Sequence, residues 1–105
     1  TGKYEKSAPP GSRLGLYGDW FTRYSNDMCK KATSEYIKIA KKFNISPTHL
    51  ALAFVNTRPF LTSNIIGATT LKQLRENIES INIKLTDEMM EEVEKIHGLI
   101  PNPAP

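Results

Sequence analysis

Ile65-Ile66-Gly67-Ala68-Thr69-Thr70-Leu71-Lys72-Gln73-Leu74-Arg75-Glu76-Asn77 is the stretch that decides the fold. Residues 63–66 are short, rich in β-branched side chains and bounded by turn formers, which predicts a strand. Thr69 or Thr70 can then cap the first free amides of a helix. Leu71, Leu74, Ile78 and Ile81 recur at helical spacing, so they predict one buried apolar stripe. A strand, a tight turn and a capped helix make a βα unit. Gly67 and Ala68 leave the backbone open to a ligand. Thr69, Thr70 and the helix-start amides can hold an anion. Gln73, Glu76 and Asn77 add donors and acceptors on one side of the first two turns. The same residues also read as an ordinary βα turn with a Thr cap and solvated polar groups. Physics alone leaves both readings open.

Working toward the N-terminus, Ser46-Pro47 starts a helix: Ser caps, and Pro takes the first position, where its missing amide costs nothing. Leu50–Val55 is apolar all round, which predicts a helix over 47–58 buried on most sides. Before it, Met28, Ala32, Tyr36, Ile39 and Phe43 form one helical stripe, with Ser25, Asn26 or Asp27 as cap and Asn44 as a left-handed stop. Residues 1–24 read as irregular around Pro9-Pro10-Gly11-Ser12. Toward the C-terminus, Thr86 or Asp87 caps a last helix with Met89, Val93 and Ile96 inward and Gly98 as its stop. The tail Pro101-Asn102-Pro103-Ala104-Pro105 can be neither helix nor central strand. This inventory is four helices and one strand. A lone strand leaves costly unpaired amides, so the expectation is a piece of a larger α/β protein. A first residue of Thr rather than Met agrees with that expectation.

The chain has 105 residues, 39% hydrophobic and 24% charged, which suits one domain or part of one and excludes a disordered tail or a collagen. A single Cys excludes an internal disulfide framework and a four-Cys zinc site. No run is long and apolar enough to span a bilayer, and no secretory leader opens the chain, so a cytoplasmic location is expected. Residues 1–45 carry nine Lys/Arg against four acids, whereas residues 46–105 carry five against seven. The basic first part can attract an anion. Lys30, Lys31, Lys38, Lys41 and Lys42 read as a solvated helix face. Lys3 and Arg13 instead flank the Pro/Gly turn, and read either as two exposed loop cations or as a clamp for a pyrophosphate. Cys29 reads as a small buried residue. His49 and His97 have no partners at metal-ligand spacing, so no metal site is expected. No nucleophile motif occurs.

Several segments together resemble the aldo-keto reductase family. Thr1-Gly2-Lys3-Tyr4 is similar to the segment following the seventh strand of that family's barrel. Ser46-Pro47 through Leu50-Ala51-Leu52-Ala53 resembles its Ser-Pro helix, and Ile66-Gly67-Ala68-Thr69-Thr70 through Asn77 its eighth strand and cofactor loop. Phe21-Thr22-Arg23-Tyr24-Ser25 and the Pro-Ala-Pro ending point to a Tas-like bacterial branch. The resemblance covers essentially all of the chain. It implies the C-terminal fragment of a (β/α)₈ barrel, a fold that takes about 250 residues. As an isolated chain it would be mostly helical, with about one short strand. Residues 1–24 would be the loop after strand 7, 25–62 two helices, 63–82 strand 8 and its helix, and 83–105 the last helix and tail.

The resemblance further implies NADPH as cofactor and a small aldehyde or ketone as substrate. It places Lys3 and Arg13 at the cofactor phosphates, Gly67 at the strand end, and Thr69, Gln73, Glu76 and Asn77 around the 2′-phosphate and adenine, so the loop at 1–13 is expected to fold over the start of the helix at 70–82 and bring them onto one nucleotide. Many members have Lys or Arg where this chain has Thr69 and Thr70. The family's catalytic groups lie on earlier strands, so none is implied here, and Tyr4 is not the catalytic tyrosine. The expected isolated chain is inactive and prone to self-association, with neither nucleic acid nor membrane as partner. The alternatives are a helical protein-interaction module and a helix-turn-helix DNA reader built from 26–43 and 47–58. The latter suffers because Leu50–Val55 offers apolar groups where base-reading side chains are needed.

Overall fold

Five segments of the chain open with a side chain that accepts a helix's free amide, and each starts an α-helix. Ser12 caps α1 (Arg13–Tyr17), Asn26 caps α2 (Asp27–Lys42) and Ser46 caps α3 (Pro47–Asn56). Thr70 caps α4 (Leu71–Glu79) and Thr86 caps α5 (Asp87–Leu99). The computed structural model describes all 105 residues and adds 3₁₀ turns at Gly18–Trp20, Thr22–Tyr24 and Ser80–Asn82. Asn44, at φ 54°, supplies the left-handed residue between α2 and α3. The Ile45 amide there returns to the Ala40 carbonyl at 3.0 Å.

The core forms where α2 meets α3 and α5. Ile39, Ala40, Leu50, Val93 and Ile96 are its buried centre, with Tyr36, Phe43, Ile45, Phe54 and Leu85 packed around them. This matches the inward positions read for α5 and most of those read for α2, except that Met28 is exposed. Leu50 and Ala53 of α3 are buried, while Ala51 is exposed. α3 packs on its other side against α4 and the 80–82 turn. On the surface, Lys42 of α2 reaches Glu88 at 2.9 Å and Glu92 at 2.5 Å on α5. Those two carboxylates, Glu92 first, raise the Lys42 ammonium above its ordinary range.

The first loop lies against α2. Gly2 has φ +71°, a conformation that favours glycine, and a Cβ there would press on the end of the Ile37 side chain, 2.6 Å from Cδ1. The Tyr4 hydroxyl accepts from the Leu14 amide at 3.4 Å and ties this loop to α1. No helix is long and apolar enough to cross a membrane.

Four expectations fail. Residues 63–66 form no strand; they are irregular. A strand needs a partner's amides and carbonyls, and this chain supplies none. The stripe read as buried on α4 is exposed: Leu71 is 76% accessible, Leu74 39%, Ile78 58% and Ile81 76%. Periodicity told which side of α4 is apolar, but not whether anything covers it. Gly98 does not stop α5, which runs through it to Leu99. Residues 1–24 are less irregular than read, since Ser12 nucleates α1.

Candidate functional site

Two groups of sequence-derived site residues occupy two places. The first is a turn that holds itself in shape. The Thr70 hydroxyl accepts from the Gln73 amide at 3.2 Å. Gln73 Oε1 returns the contact, accepting from the Thr70 amide at 3.3 Å, the Thr69 amide at 2.8 Å and the Thr69 hydroxyl at 2.9 Å. This is a capping box, two ends of one turn satisfying each other's amides. Asn77 Nδ2 donates to the Gly67 carbonyl at 3.0 Å and closes the turn from the next helical level. A Cβ at Gly67 would meet nothing within 4 Å, so this backbone stands open on that side. The amides of Leu71 and Lys72 open α4, ahead of any intrahelical acceptor.

Glu76 joins that turn to α3. Its Oε1 accepts from the Ser46 hydroxyl at 2.7 Å, and its carbonyl lies 2.9 Å from His49 Nε2.

Lys3 and Arg13 meet elsewhere. They line a cleft of about 440 Å³ with Tyr4, Tyr24, Cys29 and Lys30, and no residue of 67–77 borders it. Both cations are exposed and neither forms an ion pair. Lys3 Nζ lies 5.1 Å from the Tyr4 ring centre and the Arg13 guanidinium 5.9 Å from that of Phe21. Cations without a carboxylate partner keep their charge for an outside anion. The Tyr4 phenol shows the same field. Desolvation pushes it up, but the bonds from Leu14 and Ser12 and the Lys3 charge outweigh this and hold it below the ordinary range. A second cleft, of about 410 Å³, is apolar and lies among Tyr36, Ile37, Leu50 and Phe54.

Sequence reasoning missed what Gln73 and Asn77 do inside the turn. Thr70-x-x-Gln73 is the capping-box signature and could have revealed the first. It also missed a long-range link. Asn26 Nδ2 and the Cys29 thiol both donate to the Pro103 carbonyl, at 2.9 Å and 3.0 Å. No local signal could show that. Cys29 is buried, as read. No group of three or more His, Cys, Asp or Glu is placed to hold a metal ion.

The two groups of polar residues are separate: open helix amides and amide side chains lie at one place, exposed cations at the other. The model of the aldo/keto reductase family matches residues 1–97. The chain is 40% identical over 105 residues to Protein tas of Escherichia coli (strain K12), which covers all of the chain and 30% of that protein. It is 34% identical over 102 residues to an aldo-keto reductase of Babesia bovis, 92% of the chain and 36% of the relative. It is 31% identical over 108 residues to a putative voltage-gated potassium channel subunit beta of Schizosaccharomyces pombe, 96% of the chain and 31% of the relative. The chain thus spans about a third of the length of these relatives. With the family's pattern running through nearly its whole length, the chain belongs to the aldo/keto reductase family.

Proposed function

We propose that this chain is the C-terminal part of an NADPH-dependent, cytoplasmic oxidoreductase that reduces aldehydes or ketones to alcohols. In this reading it supplies the adenosine and phosphate side of the cofactor site in a (β/α)₈ barrel. The observation that carries the reading is the Gly67–Asn77 turn, pre-shaped by Thr70, Gln73 and Asn77 and open at its backbone. Its bonds leave Gln73 Nε2 free to donate and Asn77 Oδ1 free to accept. Lys3 and Arg13 hold the cofactor's phosphates, while Thr69, Gln73, Glu76 and Asn77 hold its adenosine end. A dinucleotide is extended, with its pyrophosphate between the two nucleosides, so a cationic cleft set apart from the turn that takes the adenosine end is compatible with one ligand. The uncovered stripe of α4 and the unpaired segment 63–66 also support a barrel completed by residues outside this chain.

When bound, the dinucleotide supplies the hydride. This chain's residues bind and orient it. Protonating the carbonyl oxygen needs an acid that the reading assigns outside these 105 residues. The chain by itself is therefore inactive.

The test is fluorescence titration of NADPH into the full-length protein. Arg13→Ala raises the dissociation constant about ten- to a hundredfold, the scale of a lost charge-assisted hydrogen bond. Gln73→Ala also raises it, by less, because its contact is neutral. The rate at saturating cofactor changes little, since such binding is uniform between ground and transition states. Unchanged affinity in both variants, with the fold intact, refutes the assignment.

A further inference from the structure

The carbonyl oxygen of Pro103 receives two donors from the start of α2, 77 residues away along the chain for Asn26 and 74 for Cys29. The same two side chains also hold the Arg23 carbonyl, Asn26 Nδ2 at 2.6 Å and the Cys29 thiol at 3.2 Å. Asn26 does its other work with its other atom: Oδ1 accepts from the Cys29 amide at 2.9 Å and caps α2. Capping and fastening are thus separable on one side chain.

What is fastened matters to the basic cleft. α1 and the turns at 18–20 and 22–24 bury no residue of their own. Beyond bonds to immediate neighbours, two polar ties hold this segment: the Leu14 amide on the Tyr4 hydroxyl, and the Arg23 carbonyl under Asn26 and Cys29. From Arg23 the contacts continue to the cleft. Tyr24 lines it, the Phe21 and Tyr24 rings lie 6.4 Å apart, and Arg13 sits over Phe21.

We infer that the C-terminal tail is a strap, fastened through Asn26, that sets the position of the 21–24 turn and so of Arg13 in the anion-binding cleft. Asn26 is a positioning residue for that cleft, acting through Arg23, Phe21 and Tyr24. The functional half of this inference rests on the cofactor reading given above; the strap itself does not.

The experiment uses the full-length protein with two variants and their combination. Asn26→Asp keeps the oxygen that caps α2, since Asp and Asn cap about equally well, but removes the donor to Pro103 and Arg23. Truncation after Ile100 removes the strap from its other end. Each variant should alkylate faster at Cys29 with iodoacetamide, because the tail no longer covers the thiol. Each should raise the NADPH dissociation constant about fivefold, the scale of one hydrogen bond, with the circular dichroism spectrum unchanged. The combination should do no more than Asn26→Asp alone, because that variant already breaks the link to Pro103 that the truncation removes. Additive losses in the combination overturn the single-link account. Unchanged alkylation in both variants overturns the strap. Arg13→Ala, measured alongside, separates the two ideas. If it weakens NADPH while the strap variants leave affinity intact, the positioning role falls and the cofactor reading stands. If it and Gln73→Ala both leave NADPH affinity unchanged, the cofactor reading falls, and faster or unchanged alkylation still decides for or against the strap.

Discussion

α5 and α4 are both amphipathic, both begin at a Thr cap, and both dock beside longer helices, yet only one buries its apolar stripe. Met89, Val93 and Ile96 of α5 are within the core, whereas α4 has no buried residue at all. The difference lies not in the helices but in what surrounds them. α5 meets α2 across complementary faces, with Lys42 spanning to Glu88 and Glu92 at the rim. α4 lies beside α3 and the 80–82 turn, with Glu76 bonded to Ser46, and turns Leu71 and Ile78 to water. An amphipathic helix therefore carries a request for a partner, and the request is met for α5 and left open for α4, its neighbour in sequence.

The contrast can be broken most directly with matched truncations. Leu50→Ala removes a side chain only 3% accessible, and should cost about 2–5 kcal/mol. Leu74→Ala in the same 105-residue chain should cost under about 0.5 kcal/mol. Urea unfolding measures both. Similar costs would mean that α4 is buried after all.

The open stripe has a second consequence that sharpens the comparison. Apolar area left in water forfeits about 25 cal/mol per Å², so the isolated chain should self-associate through Leu71, Leu74 and Ile78. Analytical sedimentation should show assemblies that Leu71→Lys with Ile78→Lys disperses. A wild-type chain that sediments as a cooperatively unfolding monomer contradicts this.

A smaller effect separates the two Thr caps. Thr70→Ala breaks the capping box and should destabilise α4 by about 1 kcal/mol. Because α4 lacks core contacts, the loss should appear as local fraying, read by hydrogen exchange at 71–79, rather than as global unfolding. Thr86→Ala, at the start of a buried helix, should instead lower the global midpoint.

The smallest effect is the rim of the buried pair. The Lys42 ammonium is raised by Glu92 and Glu88. Its contribution is therefore fully present below the ordinary lysine range and is lost as pH rises through the raised value. Thermal melts from neutral to strongly alkaline pH should show wild type losing its small advantage over Lys42→Gln only above about pH 10.5. An advantage lost already near neutrality would contradict that origin.

Four of the five helices were legible in the sequence because their signals are local; α1, capped by Ser12, was missed within 1–24. Asn26, Ser46, Thr70 and Thr86 mark the starts within a residue, and Asn44 marks an end by its left-handed conformation. The strand at 63–66 was misread for the opposite reason. β-Structure is a property of pairs, and Ile65 and Ile66 have no partner strand among these residues. The polar content of the Gly67–Asn77 turn was legible; its internal wiring was not, because Gln73 and Asn77 were read as facing outward before facing their own backbone. Lys3 and Arg13 were read as a pair and do line one cleft. The Asn26–Pro103 link, joining residues 77 apart, is set by tertiary folding and had no signature to read.

The five helix caps described above also bear on how the chain comes into being. Each cap fixes a boundary using atoms within three residues, so no distant segment has to arrive before a helix knows where to begin. Helical turns form on the submicrosecond scale, about 0.1–1 μs for a short peptide. Asn44 then lets α2 fold back on α3 by a loop of only a few residues, at small closure entropy. A chain emerging from the ribosome can thus assemble α2 and α3 first and add α5 when Val93 and Ile96 appear. α4, with its ends already defined and its apolar side still bare, needs a surface that these 105 residues do not supply.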